Sequence, residues 1–207
     1  RYGAAMMEPP IVSTLGSDAF CRAHAACREY IREDVRIDTE EEEYALRLRY
    51  FAEMNRLVPW NLSDAQVSAL ARDFVENPRR MGVYADAAEY LPRFQARFGL
   101  GLLSDTMPSL ERVLKTAGLW QYLDAHVFST DVGALKPAPA MYARILEKLG
   151  ARAADCLFVD DLIRNLRGAE AMGLRAVQMA RTDAVERWDG PVVKNFAELE
   201  AYAESIA

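Results

Sequence analysis

A chain of 207 residues, 51% of them apolar, can bury a sizeable core and fits one domain, or one domain with a smaller insert. Its formal net charge of −6 lacks the basic balance of a non-specific nucleic-acid binder, so no nucleic-acid partner is expected. Three cysteines, Cys21, Cys27 and Cys156, are odd in number and form no C-x-x-C. They argue against a disulfide framework or a zinc site and for a reducing, cytoplasmic compartment. No apolar run approaches the ~20 residues of a membrane helix and no signal peptide is visible, so no membrane partner is expected.

The first half reads as helices. Ser17 caps a helix through Phe20, Ala23, Cys27 and Ile31. Thr39 with Glu42 is a capping-box pattern that opens a helix through Leu46, Tyr50, Phe51, Met54 and Leu57. The acidic run Glu40 to Glu43 lies in its first turn, where the helix dipole favours it, and is read as a solvated helix start. Ser63 with Gln66 repeats the capping signal before Val67, Leu70 and Phe74, and Asn77-Pro78 stops that helix.

From Tyr84 the pattern alternates. A helix through Ala88, Leu91 and Phe94 leads to an apolar strand, Leu100 to Leu103. Pro108 suits the first turn of a helix ending near Gly118, and a short strand spans His126 to Ser129. Pro139 opens a helix through Met141, Ile145 and Leu149 that ends at Gly150. Then follow a strand, Cys156 to Val159, a helix to Gly173, a strand, Arg175 to Met179, and a closing helix capped by Asn195 with Glu198. Four strands separated by helices make a parallel sheet covered on both faces, in an α/β fold. Ligands of such sheets sit beyond the carboxyl ends of the strands.

Chemistry gathers at those ends. Asp160 and Asp161 close the third strand as adjacent like charges, an arrangement that Mg2+, a hard cation preferring oxygen, would relieve. Asp161 also suits the N-cap of the helix that begins near Ile163. Lys136 precedes Pro137, which restricts its backbone to extended conformations and fixes where its side chain starts. Ser104 ends the first strand, with the backbone N–H groups of Asp105 and Thr106 following. Together they can hold phosphoryl oxygens, or simply cap a strand-to-helix turn. Asn165 can brace the metal shell or bond local backbone, while Gly168 and Gly173 suit close packing and a helix end. No G-x-S-x-G elbow is present, and His24 and His126, the only histidines, sit where structural roles suffice.

These residues resemble the haloacid dehalogenase-like (HAD) hydrolase superfamily, over Tyr84 to about Ala180 and less specifically elsewhere. The carriers are Leu102-Leu103-Ser104-Asp105, then Lys136-Pro137, then Phe158-Val159-Asp160-Asp161 followed by Asn165 and Gly168-Ala169. The resemblance implies a Rossmann-like parallel-sheet core over 83–207, an inserted helical cap of the family's first class over 13–82, and a linker over 1–12. It implies a phosphatase acting on a small phosphorylated metabolite. An aspartate attacks phosphorus to form an aspartyl-phosphate, and a second acid two residues on protonates the leaving group and activates water. Mg2+ is the implied cofactor, held by Asp160 and Asp161. Ser104, Asp105 and Asn165 are the implied substrate contacts, and Lys136 holds both nucleophile and phosphate. Adjacent acids favour a phosphatase over a dehalogenase, because displacing halide from carbon needs no Mg2+. Within the cap, Arg47, Arg49, Arg56, Trp60 and Arg79 are specificity candidates by residue type alone, and oligomeric state is open.

The chain departs from the family pattern at its start. Between Arg1 and Ser17 the only acid is Glu8, so the family's Asp-x-Asp motif is not there. Since the chain begins with Arg1 rather than Met, the first strand and its nucleophile are expected upstream of Arg1. The competing reading is a non-catalytic binding or regulatory protein on the same fold. A phospho-acceptor receiver domain uses similar groups, but in a different order.

Overall fold

A computed structural model describes residue 11 and residues 14–32, 37–182 and 186–206. The expected linker over 1–12 and the start of the expected cap at Ser13 lie, Ile11 apart, outside the described residues. The chain divides into two compact units. One holds the described residues up to Gly82 together with Met107–Ala117; the other holds Val83–Thr106 and the described residues from Gly118 onward.

The first unit is helical: α1 (Asp18–Arg32), α2 (Glu40–Leu57), α3 (Asp64–Glu76) and, from the later segment, α5 (Ser109–Thr116). Local chemistry sets the helix starts. Ser17 Oγ accepts from Phe20 N, and both Thr39–Glu42 and Ser63–Gln66 form complete capping boxes. The core packs Cys27, Tyr50, Phe51, Met54, Val67 and Leu70 around Trp60. Trp60 is only 2% exposed, and its indole N–H donates to Thr14 Oγ1. It is therefore a core residue of this unit rather than a surface available to a substrate.

The acidic run corrects the sequence reading. Glu43 is fully buried, not solvated. Its carboxylate accepts from the backbone N–H of Ser109 (2.9 Å) and from Ser109 Oγ (2.7 Å), capping α5 from another helix. Arg80 donates to the same Ser109 Oγ, and Arg47 Nε lies 3.8 Å from Glu43. Burial lowers the pKa of both guanidinium groups from the usual arginine value. A buried carboxylate survives because it is bonded and faces positive charge. This cluster explains why residues 107–117 pack with the helices, although the sequence reading grouped them with residues 83–207.

The second unit is α/β. Its elements are α4 (Ala85–Gln95), β1 (Gly101–Ser104), β2 (Ala125–Phe128), α6 (Ser129–Val132), α7 (Pro139–Leu149), β3 (Leu157–Asp160), α8 (Ile163–Ala171), β4 (Arg175–Met179), β5 (Val192–Val193) and α9 (Phe196–Ser205). Every strand pairing is parallel. The strands hydrogen-bond in two groups, β1–β2 and β3–β4–β5, rather than in one continuous sheet. The two-residue β5 adds a strand that the sequence reading lacked. Helices cover both faces: along β4, Ala176 packs with residues of α7 and α8, and its neighbour Val177 packs with Phe94 and Leu199 from α4 and α9. α7 ends at Gly150, whose φ of 59° is the left-handed geometry glycine adopts at low cost.

Candidate active site

The first strands of the two sheets end in the residues that carry polar chemistry. β1 ends at Ser104 and β3 at Asp160. Lys136 follows β2 and α6, in the loop after Gly133, which closes α6 in the left-handed conformation. The Lys136–Pro137 peptide is cis. Asp105 Oδ1 accepts from the Lys136 backbone N–H at 2.8 Å, pinning this loop to the one that follows β1.

Lys136 joins the two sheets. Its ammonium donates to the Leu103 carbonyl of β1 (3.1 Å) and to Asp160 Oδ2 at the end of β3 (2.8 Å). The two side chains are 10% and 7% exposed, so the pair is screened little by solvent. The other Asp160 oxygen accepts from Leu162 N (2.9 Å) and from Asn165 Nδ2 (3.0 Å). Asp160 thus holds the main chain at Leu162, just before α8, and α8 itself carries no side-chain capping bond. Asp161 makes none, which corrects the capping alternative read from sequence.

Asn165 is aimed from behind. It is 1% exposed, and its backbone carbonyl accepts from Tyr142 Oη at 2.7 Å. Tyr142 is fully buried on α7; burial, then the Asp160 and Asp105 carboxylates, push its phenol up to about 12. Gly168 lets α8 come this close: a Cβ there would sit 2.6 Å from Pro137 Cβ and 2.7 Å from Tyr142 Oη.

Ser104 is half-buried, and its hydroxyl has no partner among the described residues. The Thr106 N–H, which the sequence offered either to a phosphoryl oxygen or to a strand-to-helix turn, is donated to Ser129 Oγ (3.0 Å), and that hydroxyl donates back to the Thr106 carbonyl. Ser129 was not singled out in the sequence. It starts α6 directly after β2 and ties the β1 and β2 loops together. Sequence offered no signal for it beyond a hydroxyl at a strand end.

A magnesium ion can be tested against the donors present. Asp161 is exposed, and its carboxylate has no hydrogen-bond or ion-pair partner among the described residues. Asp160 accepts three bonds, leaving about one of a carboxylate's four lone-pair sites. Both offer only oxygen, which suits Mg2+ completed by water and substrate oxygens. The buried Asn165 Oδ1 has no partner among the described residues and adds an acceptor on the side chain that bonds Asp160. Asp160 and Asp161 therefore fit as part of a Mg2+ site, Asp161 having the carboxylate with fewer partners among the described residues. Among the described residues no group of three or more His, Cys, Asp or Glu side chains forms a metal cluster. No helix there is long and apolar enough to cross a membrane.

Comparison with known proteins gives this arrangement a lineage. A family model for haloacid dehalogenase-like hydrolases matches residues 14–173. A phosphatase of Mycobacterium tuberculosis is 33% identical over 121 residues, covering 57% of this chain and 54% of that protein. The matched stretch thus spans about half of that relative's length. An enolase-phosphatase of Pseudomonas aeruginosa is 30% identical over 161 residues, 75% of this chain and 69% of that protein. The L-2-haloacid dehalogenase of Xanthobacter autotrophicus superposes with a TM-score of 0.60 at 20% identity, covering 92% of this chain and 94% of that one, a likeness of fold alone. With its serine, lysine and paired acids at the ends of parallel strands, and the family model over most of its length, this chain belongs to the haloacid dehalogenase-like hydrolase family.

Proposed function

We propose that this protein is a Mg2+-dependent phosphohydrolase acting on a small phosphorylated metabolite in the cytoplasm. The observation that carries the reading is Lys136, whose buried ammonium bonds the end of β1 and the acid at the end of β3. A positive charge held there, next to Ser104, whose hydroxyl has no partner among the described residues, suits a phosphoryl group and a carboxylate bound together.

In this mechanism Ser104 Oγ donates to a phosphoryl oxygen. The Lys136 ammonium neutralises charge as it builds on the phosphoryl group, and it holds the attacking carboxylate in line. That carboxylate is the aspartate of the family's first motif; it attacks phosphorus as the bond to the substrate's ester oxygen breaks, and water then hydrolyses the aspartyl-phosphate to inorganic phosphate. A second acid two residues later supplies and removes the proton. Asp160 and Asp161 would hold Mg2+, which when bound would offset the repulsion between carboxylate and phosphate. Asp105 supports the Lys136 backbone, and Asn165 holds Asp160 in place. Residues 13–82 would serve as the cap that selects the substrate.

The test is release of inorganic phosphate from an aryl phosphate and a panel of small phosphate esters by the full-length protein. Turnover that needs Mg2+, stops with EDTA and is abolished by Asp160→Asn supports the reading. A folded protein with no turnover across the panel favours the non-catalytic binding reading.

A further inference from the structure

Gln178 lies on β4 directly opposite Asp160 in the parallel register. It is fully buried, and among the described residues its amide bonds only main-chain groups. Nε2 donates to the Asp161 carbonyl (3.0 Å) and to the Glu186 carbonyl (2.7 Å), and Oε1 accepts from the Trp188 N–H (3.1 Å). One side chain therefore satisfies three backbone groups from two loops that no strand pairs. One of those loops carries the acid pair.

The two acids are held differently. Asp160 is held through its carboxylate, by Lys136, Leu162 N and Asn165. Asp161 is held through its main chain by Gln178, while its own carboxylate has no partner among the described residues. Anchoring the backbone of a ligand residue fixes where its side chain begins and leaves the carboxylate available. We propose that Gln178 is a positioning residue for divalent-cation binding, setting the Asp161 main chain so that its carboxylate meets the ion beside Asp160. The proposal rests on the Mg2+ reading above. Outer partners of this kind typically change metal affinity by about 10–100-fold.

The experiment compares the full-length protein with Gln178→Met, which keeps the volume and removes the hydrogen bonds, and Gln178→Glu, which keeps the acceptor for Trp188 but places an acceptor against two carbonyls. Mn2+ binding is read by electron paramagnetic resonance, Mg2+ binding by the rise in melting temperature, and folding by near-UV circular dichroism without metal. The expected result is a Kd for Mn2+ raised about 10-fold or more in both folded variants, with kcat at saturating Mg2+ changed far less than the activation constant. Folded variants that bind Mn2+ as the parent does overturn the proposal. So does failure of both variants to fold without metal, which makes Gln178 a stability residue first. A parent protein that binds neither ion sinks the metal reading itself, and this inference with it; that outcome is distinguishable because it appears before any substitution.

Discussion

Lys136 Nζ lies 2.8 Å from Asp160 Oδ2, and the two side chains are among the least exposed charges of the α/β unit. Removing one partner of such a pair leaves the other's charge buried and uncompensated. Asp160 would keep its bonds from Leu162 and Asn165, which softens the loss. Lys136→Met is expected to destabilise the protein by roughly 3 kcal/mol. It should also lower kcat/KM toward phosphate esters at least about a hundredfold. Urea unfolding and phosphate release measure the two effects separately, and unchanged stability would contradict the buried-pair account.

Ser104 should behave in the opposite way. Its hydroxyl has no partner among the described residues, so Ser104→Ala removes nothing the fold uses. Stability should stay within about 0.5 kcal/mol, while kcat/KM falls roughly tenfold or more through the lost phosphoryl hydrogen bond. A large drop in melting temperature would mean that the serine is a structural cap.

Gly168→Ala tests the packing behind the site. Its Cβ would meet Pro137 and Tyr142 at distances no ordinary contact tolerates. Overpacking of this kind costs about 1–3 kcal/mol. Because those neighbours adjoin Lys136 and Asn165, activity should fall along with stability. Thermal unfolding alongside turnover checks both, and a variant as stable and active as the parent would show that α8 can shift freely.

In the helical unit, two carboxylates three residues apart should differ sharply. Glu43→Leu removes a buried acid that faces Arg47 and Arg80 and caps Ser109, with an expected cost of about 3–5 kcal/mol. Arg112→Ala breaks only the exposed pair with Glu40, expected to matter by less than about 1 kcal/mol. Equal effects in denaturant titrations would refute the assignment of Glu43 as a buried anchor.

Tyr142 predicts an alkaline limit. Its phenol is raised from the ordinary tyrosine value of 10.0 to about 12 by burial and the neighbouring carboxylates, so the folded state keeps this proton after the unfolded chain releases it. Its contribution to stability is full below pH 10 and is lost as pH rises toward 12. Ultraviolet titration of the folded protein should show one late tyrosine that is missing in Tyr142→Phe, whose stability should decline less steeply over the same range. A Tyr142 titrating with the exposed tyrosines would remove the prediction's basis.

Much of the scaffold was legible in the chain because its signals are local. The capping boxes at Thr39 and Ser63 and the left-handed stop at Gly150 depend on residues within one helical turn. The sequence placed Ser104, Lys136, Asp160 and Asp161 at strand ends, where alternating helices and strands open a ligand site. It did not rank their roles. Asp160 and Asp161 are neighbours with the same chemistry, and which one is bonded depends on Lys136, Leu162 and Asn165 converging on Asp160.

By itself, then, the sequence determined where the capped helices start, the parallel α/β character and the order of the polar residues along the chain, because period, capping and turn chemistry act over a few residues. Only the tertiary structure decided that Glu43 is buried beneath Ser109, 66 residues away, that Ser129 takes the Thr106 N–H, and that Gln178 holds Asp161. The physical reason is that the cost of desolvating a polar group is set by the partners the fold brings to it, and those partners are distant in sequence.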